Sequence, residues 1–422
     1  MISAMSTEDA GLLFVLPVNL SRSAGIDAVW LTAANLSRAV GNLVGGAQLL
    51  TPEGLLSPDE VEALAVRSSD RPSARRRIAG HLPRTIRIGL GDVRAWLLAR
   101  RMRAHAANVA GKRFRFVMQM HHRFQDCGAR VAERIGAPFV LRMEALEVRE
   151  EATWGLHRPI WGPLVERIGE LRIASQADLV ACISRAIELD LAGLGIADGR
   201  RIVLPSAVDL DVFSPGLPEE ELSRKFDLEG RFVVGWVGGF RPFHGLEHVP
   251  SIARLMQARV PNAVLCLVGA GPLREEIMLK TKGLEDSVRL LPPVEHADIP
   301  RWLRSFDACL LLAGQGRFHY SPLKLYEYLA CGRPIVATAA GEVQEVIADG
   351  ENGLLFARGD AGGAVDAIER LIFEDELRTS LSRNARATAE RTASWTIRAE
   401  ELLSALDRGS PGEDRMEGSS TV

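Results

Sequence analysis

Lys324 and Glu327 stand three residues apart in the run SPLKLYEYLACGRPIV, immediately after a Ser-Pro pair. On a helix this spacing puts an ammonium and a carboxylate on one flank. Ser321 is predicted as the N-cap and Pro322 as the first helical residue, where a missing N–H costs nothing. A cation in the first turn opposes the helix dipole, unless an anion is held there jointly by the free amides and the ammonium. A lysine for phosphate and a carboxylate for vicinal hydroxyls would together suit a nucleotide. The competing reading is a surface ion pair, disfavoured by the Lys-before-Glu order and by the buried-looking strand ACLLLA just upstream.

Glycines mark two strand ends, VGGF (Gly238, Gly239) and VGAGP (Gly269, Gly271), where backbone can approach a phosphate closely. Neither completes GxGxxG, because Arg274 stands where the third glycine belongs, so the pattern does not support a dinucleotide-dependent dehydrogenase. Asp209 and Asp211 form a DxD pair in a turn-rich connection, where capping is the ordinary use of aspartate. Five widely separated cysteines with no CxxC pair read as buried thiols of a reducing compartment.

Such residues need an open α/β framework to hold them. LLFVLPVNL (residues 12–20) reads as a strand, followed by a helical pattern from Ile26 to about Val40. RFRFVMQMHH, PFVLRME and ADLVACIS read as further buried strands, with a long helical stretch at about 157–176. A second series starts near Arg231 with RFVVGWVGG, AVLCLVGAG, VRLLPPV, ACLLLA, RPIVAT and NGLLFA. Short continuous apolar strands alternating with helices predict parallel sheets covered on both faces. LPSAVDLDVFSPGLPEEE is the expected connection between two doubly wound domains, and the polar tail 408–422 is expected to be disordered.

The 422 residues carry 51 Lys and Arg against 54 Asp and Glu, a formal −3, which does not advertise a nucleic-acid partner. The average hides an asymmetry, since residues 67–115 hold fourteen basic side chains and two acids, Asp70 and Asp92. The first twenty residues lack a basic leader, and GLLFVLPVNL is far shorter than the ~20 residues of a membrane span. The expectation is a cytoplasmic protein without a transmembrane helix.

From Val234 to about Leu406 the chain resembles the retaining family-4 glycosyltransferases of GT-B fold. The resemblance rests on VGWVGGFRPFHG, LVGAGPLREE, VRLLPPVEHADIPRWL, SPLKLYEYLACGRPIVAT, GEVQEVIADGENGLLFARGD and the linker LPSAVDLDVFSP. It implies two Rossmann-like domains facing each other across a cleft. Residues 1–208, joined by a C-terminal helix at about 395–407, would form the acceptor domain, and 216–394 the nucleotide-sugar donor domain. The donor would be a UDP- or GDP-sugar, its ribose held by Glu327 and its diphosphate by amides at Ser321, Pro322 and Leu323 and by the glycine loop at Gly238. Its base would be read near Val294. The usual phosphate-binding Arg and Lys are replaced here by Gly239 and His244, so Arg241 and Lys324 are expected to neutralise the leaving diphosphate, with His244 beside them. The first acid of the family's E-x7-E motif is replaced by His319.

The resemblance further implies a metal-independent hexosyl transfer with retained configuration and no cofactor, the acceptor hydroxyl attacking on the face from which the phosphate leaves. His121 and His122 in MQMHH are candidates for a polar group at the end of an N-domain strand, and alternation lets at most one face the substrate. The acceptor would be a lipid-linked glycan or a small metabolite. A non-catalytic nucleotide-sugar binder with a decayed site, or an epimerase or phosphorylase on the same fold, remain the alternatives. Within the basic stretch, DVRAWLLARRMRAHAANV reads as an amphipathic helix with Trp96, Leu97 and Leu98 among its apolar residues. Peripheral contact with an anionic membrane through 67–115 competes there with a merely solvated face, and no aromatic interleaving favours nucleic acid.

Overall fold

The computed structural model describes residues 11–18, 27–69, 83–109, 112–153, 155–314, 316 and 320–409. The chain divides into two compact units, Met1–Pro205 with Trp395–Val422, and Ser206–Ser394. The predicted disordered tail lies, from residue 410 on, outside the described residues, as does the basic run 70–82.

In the first unit seven strands form one sheet: β1 (Leu12–Val15), β2 (Ala47–Thr51), β3 (Gly54–Leu56), β4 (Phe116–Met120), β5 (Phe139–Met143), β6 (Leu179–Cys182) and β7 (Arg201–Val203), in the order β3-β2-β1-β4-β5-β6-β7. All pairings are parallel except the β2–β3 hairpin. β1, β4, β5 and β6 are buried along their whole length, as strands covered on both faces must be. The C-terminal helix Trp395–Gly409 returns to this unit, where Asp407 accepts from Arg115 at 3.0 Å.

The second unit carries six parallel strands: β8 (Phe232–Val237), β9 (Ala263–Val268), β10 (Val288–Leu291), β11 (Ala308–Leu311), β12 (Ile335–Thr338) and β13 (Leu354–Phe356), ordered β10-β9-β8-β11-β12-β13. Alternation feeds two cores: Val264, Cys266 and Val268 pack into one, and Ala263, Leu265 and Leu267 into the other. Gly235 is required in β8 by packing, since a Cβ there would lie 1.8 Å from the Phe306 ring. Within this unit Val208 and Ser394 form a parallel bridge, and Val208 donates to the Ala393 carbonyl at 2.9 Å.

Some boundaries depart from expectation. The first strand ends at Val15, two residues before Pro17, rather than at Leu20. The helix predicted over 157–176 is broken into Gly162–Glu166, a π turn at Arg167–Leu171 and Arg172–Ala174. Pro159 and Pro163 lack the N–H that would continue a helix through that start. The helix predicted to open at Pro322 begins at Leu323, with Pro322 in extended conformation as its N-cap.

Candidate functional site

The strand order of the second unit reverses between β8 and β11, and in open α/β sheets ligands bind outside the carboxyl ends of the strands at such a switch point. β8 ends at Val237, and Gly238 follows with φ 151°, a region that favours glycine. A Cβ on Gly238 would lie 2.7 Å from Lys324 Cε and 2.9 Å from Nζ. The missing side chain is therefore what admits the ammonium to the strand end.

Lys324 Nζ sits 5.1 Å from the Trp236 ring centroid and 3.4 Å from His244 Nε2. Burial lowers its pKa to about 8, with Glu327 pulling the other way. Burial, and then the charges of Lys324 and Arg241, push the His244 imidazole well below its ordinary range. His244 is accordingly a neutral acceptor for the Lys324 ammonium rather than a third cation. Arg241 is exposed, and its guanidinium lies over Gly239, whose Cβ would stand 3.5 Å from Arg241 Nε. The predicted cations Lys324 and Arg241 thus belong to one strand-end loop and the helix beside it.

Ser321 does not cap that helix. Its hydroxyl donates to Glu342 Oε1 at 2.9 Å and accepts from the Ser206 amide at 2.9 Å, and the Tyr326 hydroxyl donates to the same Glu342 oxygen. A hydroxyl committed to these buried partners is unavailable to the first turn. The first intrahelical bond runs from Leu325 N to Pro322 O at 3.0 Å, so the amides of Leu323 and Lys324 precede it at the positive end of the dipole.

Glu327 is buried, with Oε1 3.6 Å from His296 Nε2. Lys324 and Glu327 thus turn to different neighbours, which answers the ion-pair reading. His296 packs edge-on against Phe213, and Val294, in the same loop after β10, rests on the core. His296 was not anticipated, because no helical or strand spacing links it to Glu327. His319 lies outside the described residues. Tyr320 donates to the carbonyl of Phe243, the neighbour of His244, at 3.0 Å.

Other residues singled out in sequence have structural roles here. Arg274, in place of a third glycine, donates to the carbonyls of Gly269, Leu290 and Leu291 and clamps the ends of β9 and β10. Asp209 Oδ1 accepts from the amides of Asp211 and Val212, a capped turn.

In the first unit β4 ends at Met120, and alternation sends the two histidines to different surroundings. His121 is buried, its Nε2 3.5 Å from Glu170, whose carboxyl is pushed up by burial. His122 keeps 27% of its side chain exposed, lies 3.4 Å from Glu147, and is lowered by burial. Next to it Arg123 meets Asp92, Glu147 and Glu151, while Asp92 accepts two bonds from Arg158 and one from Trp161. Burial alone would raise Asp92, but the bonds from Arg158 and Trp161 hold it below the usual carboxylate range. An open pocket of about 360 Å³ adjoins this network, with Arg84, Arg87, Arg123, Arg158 and Glu151 in its lining.

Known proteins match both the sequence and the fold. The family described as Glycosyl transferases group 1 matches residues 231–374. A D-inositol 3-phosphate glycosyltransferase from Actinosynnema mirum is 30% identical over 287 residues, 65% of this chain and 67% of that protein. The proteins of the same name from Xylanimonas cellulosilytica (30% over 255 residues) and Mycolicibacterium smegmatis (29% over 257) are matched over 58% and 56% of their own length. Among solved structures, Anabaena HepE in complex with UDP has a TM-score of 0.66 at 17% identity, covering 94% of this chain and 100% of that one. Sucrose-phosphate synthase from Thermosynechococcus elongatus gives 0.66 at 17%, covering 94% and 98%. These likenesses establish the fold as GT-B, with two Rossmann-like units. With that fold and these relatives, the chain belongs to the group 1 glycosyltransferases.

Proposed function

We propose that the protein is a retaining, metal-independent glycosyltransferase that takes a hexosyl group from a UDP- or GDP-sugar bound to the Ser206–Ser394 unit. The observation that carries this reading is Lys324: a partly desolvated ammonium, lowered to about 8, held between Gly238 and a neutral His244 at a helix N-terminus. Such a cation is poised to gain most from a doubly charged leaving group, since electrostatic stabilisation of developing charge is the main task in this transfer. Arg241 supplies a second, exposed charge. Glu327 is placed to accept the ribose hydroxyls, with His296 orienting its carboxylate, and the base lies against the loop at Val294.

In this reading Met1–Pro205 serves the acceptor, with His122 as the polar group nearest the reacting hydroxyl. The arginine-lined pocket favours an acceptor bearing phosphate, as the name of the D-inositol 3-phosphate relatives also suggests, either a small metabolite or the headgroup of a lipid-linked glycan. Five buried free thiols are in keeping with a cytoplasmic setting.

Calorimetric titration with UDP and with GDP, each with EDTA and with magnesium, tests the donor site. One nucleotide should bind with equal affinity in both conditions. Absence of binding by either would favour a decayed site. Incubation with the matching sugar nucleotides and NMR of the product then separates a transferase, which yields an α-linked glycoside from an α-linked donor, from an epimerase, which alters only the sugar.

A further inference from the structure

The helix Arg84–His105 buries one face and exposes apolar side chains on the other. Ile88, Asp92, Ala95, Ala99 and Met102 are buried, and at roughly 100° per residue they lie along one side of the cylinder. Ile86, Leu90, Val93 and Leu97, between 41 and 53% exposed, fall within about 60° of one another on the opposite side. An ordinary surface helix carries charge there. This one carries it on the flanks: Arg87, Arg94 and Arg101 run along one edge of the apolar stripe, and Arg100 stacks over the exposed Trp96 ring at 5.0 Å on the other. The helix has six arginines and a single acid, Asp92, which is buried and bonded to Arg158 and Trp161. Arg87, Arg94 and Arg100 pair with no carboxylate among the described residues.

The adjoining segment repeats the pattern. Trp161, through its bond to Asp92, docks this segment on the helix, and its Ile160, Leu164 and Ile168, spaced by four, are all exposed, Ile160 to 87%.

We propose that this face of the first unit is a docking surface for an anionic lipid bilayer, the helix lying in the interface with its apolar stripe among the acyl chains and its arginines at the phosphates. An apolar stripe edged by cations is the pattern of an interfacial helix. No helix among the described residues is long and apolar enough to cross a membrane, so contact would be in the plane. A second copy of the chain is the poorer occupant, because a self-complementary contact through this stripe would set arginines against arginines. The proposal deepens the assignment of the first unit to the acceptor, and it stands or falls separately from nucleotide binding.

The test is co-flotation of the full chain with vesicles of phosphatidylcholine alone and of phosphatidylcholine with about a third phosphatidylglycerol. Binding is expected to the anionic vesicles and to weaken steeply with salt. Val93→Ser with Leu97→Ser, and separately Arg94→Glu with Arg100→Glu, should each cut it at least tenfold. Both pairs are exposed, so circular dichroism and nucleotide titration should match the parent and exclude misfolding. Failure to bind anionic vesicles, or equal binding by both variants, would overturn the proposal. So would a solution dimer, seen by light scattering, that the Val93/Leu97 variant dissociates.

Discussion

Lys324 is held at a cost that a bound anion would remove. Its folded pKa, about 8, lies below the ordinary lysine value, so the folded protein disfavours the charged form. The unfolded chain then binds more protons between about pH 8 and 10.5, and this site's contribution to stability rises with pH across that window and is at its lowest below it. Diphosphate affinity should move the opposite way, constant below about pH 8 and falling above it, measurable by titration at pH 7, 8 and 9. Lys324→Met should weaken diphosphate binding by roughly 10–100-fold, as for a charge-assisted hydrogen bond of ~1.5–3 kcal/mol, with a melting temperature equal to or above the parent's. A fall in melting temperature with affinity intact would return Lys324 to a structural role. Glu327→Ala should weaken nucleotide binding by about 1–3 kcal/mol, the cost of leaving buried partners unpaired. An unchanged dissociation constant would remove Glu327 from the site.

At the scale of elements, glycine and aspartate do the positioning. Gly238→Ala would force a side chain into a left-handed backbone and against Lys324. The expected result is about 1–3 kcal/mol of lost stability, together with nucleotide affinity as low as in Lys324→Met, read by denaturant unfolding and titration. Asp92→Ala would take one of several carboxylates from Arg158 and Arg123, which keep Glu151 and, for Arg123, Glu147, and would release the docked Trp161, a loss on the order of 1–3 kcal/mol. Because the folded Asp92 pKa is depressed, its contribution is present above the unfolded carboxylate range and disappears as pH falls through the folded value. Much of this was legible beforehand: the apolar runs of the central strands, the strand-end glycines and the Lys324/Glu327 spacing follow from local periodicity. The β2–β3 hairpin and β7 were not, since three to five residues at a sheet edge leave too short a pattern. Nor was the N-cap, because the Ser321 hydroxyl is claimed by Glu342 and Ser206, which are distant in sequence. The amphipathicity of Arg84–His105 was visible, but which of its residues would face outward was decided by packing against the helix Cys127–Ile135 and the Arg158–Trp161 segment.

For the whole molecule, the groups assigned to the donor all lie in one unit. Lys324, His244, Arg241, Glu327, His296 and Val294 fall within Ser206–Ser394, which has its own sheet and two cores. Residues 206–394 produced alone should fold cooperatively and bind the same nucleotide as the full chain without transferring sugar. A folded fragment that does not bind would mean that the first unit supplies part of the donor site. The chain enters this unit at Ser206 and leaves it at Ser394, and the bridge between Val208 and Ser394 sets entry and exit side by side. The Ser206–Ser394 unit is therefore an insertion with adjacent ends, the arrangement in which domain grafting succeeds. It could be cut out and exchanged for that of a relative as a single cassette, leaving the other half to be rejoined from Pro205 to Trp395 by a short linker.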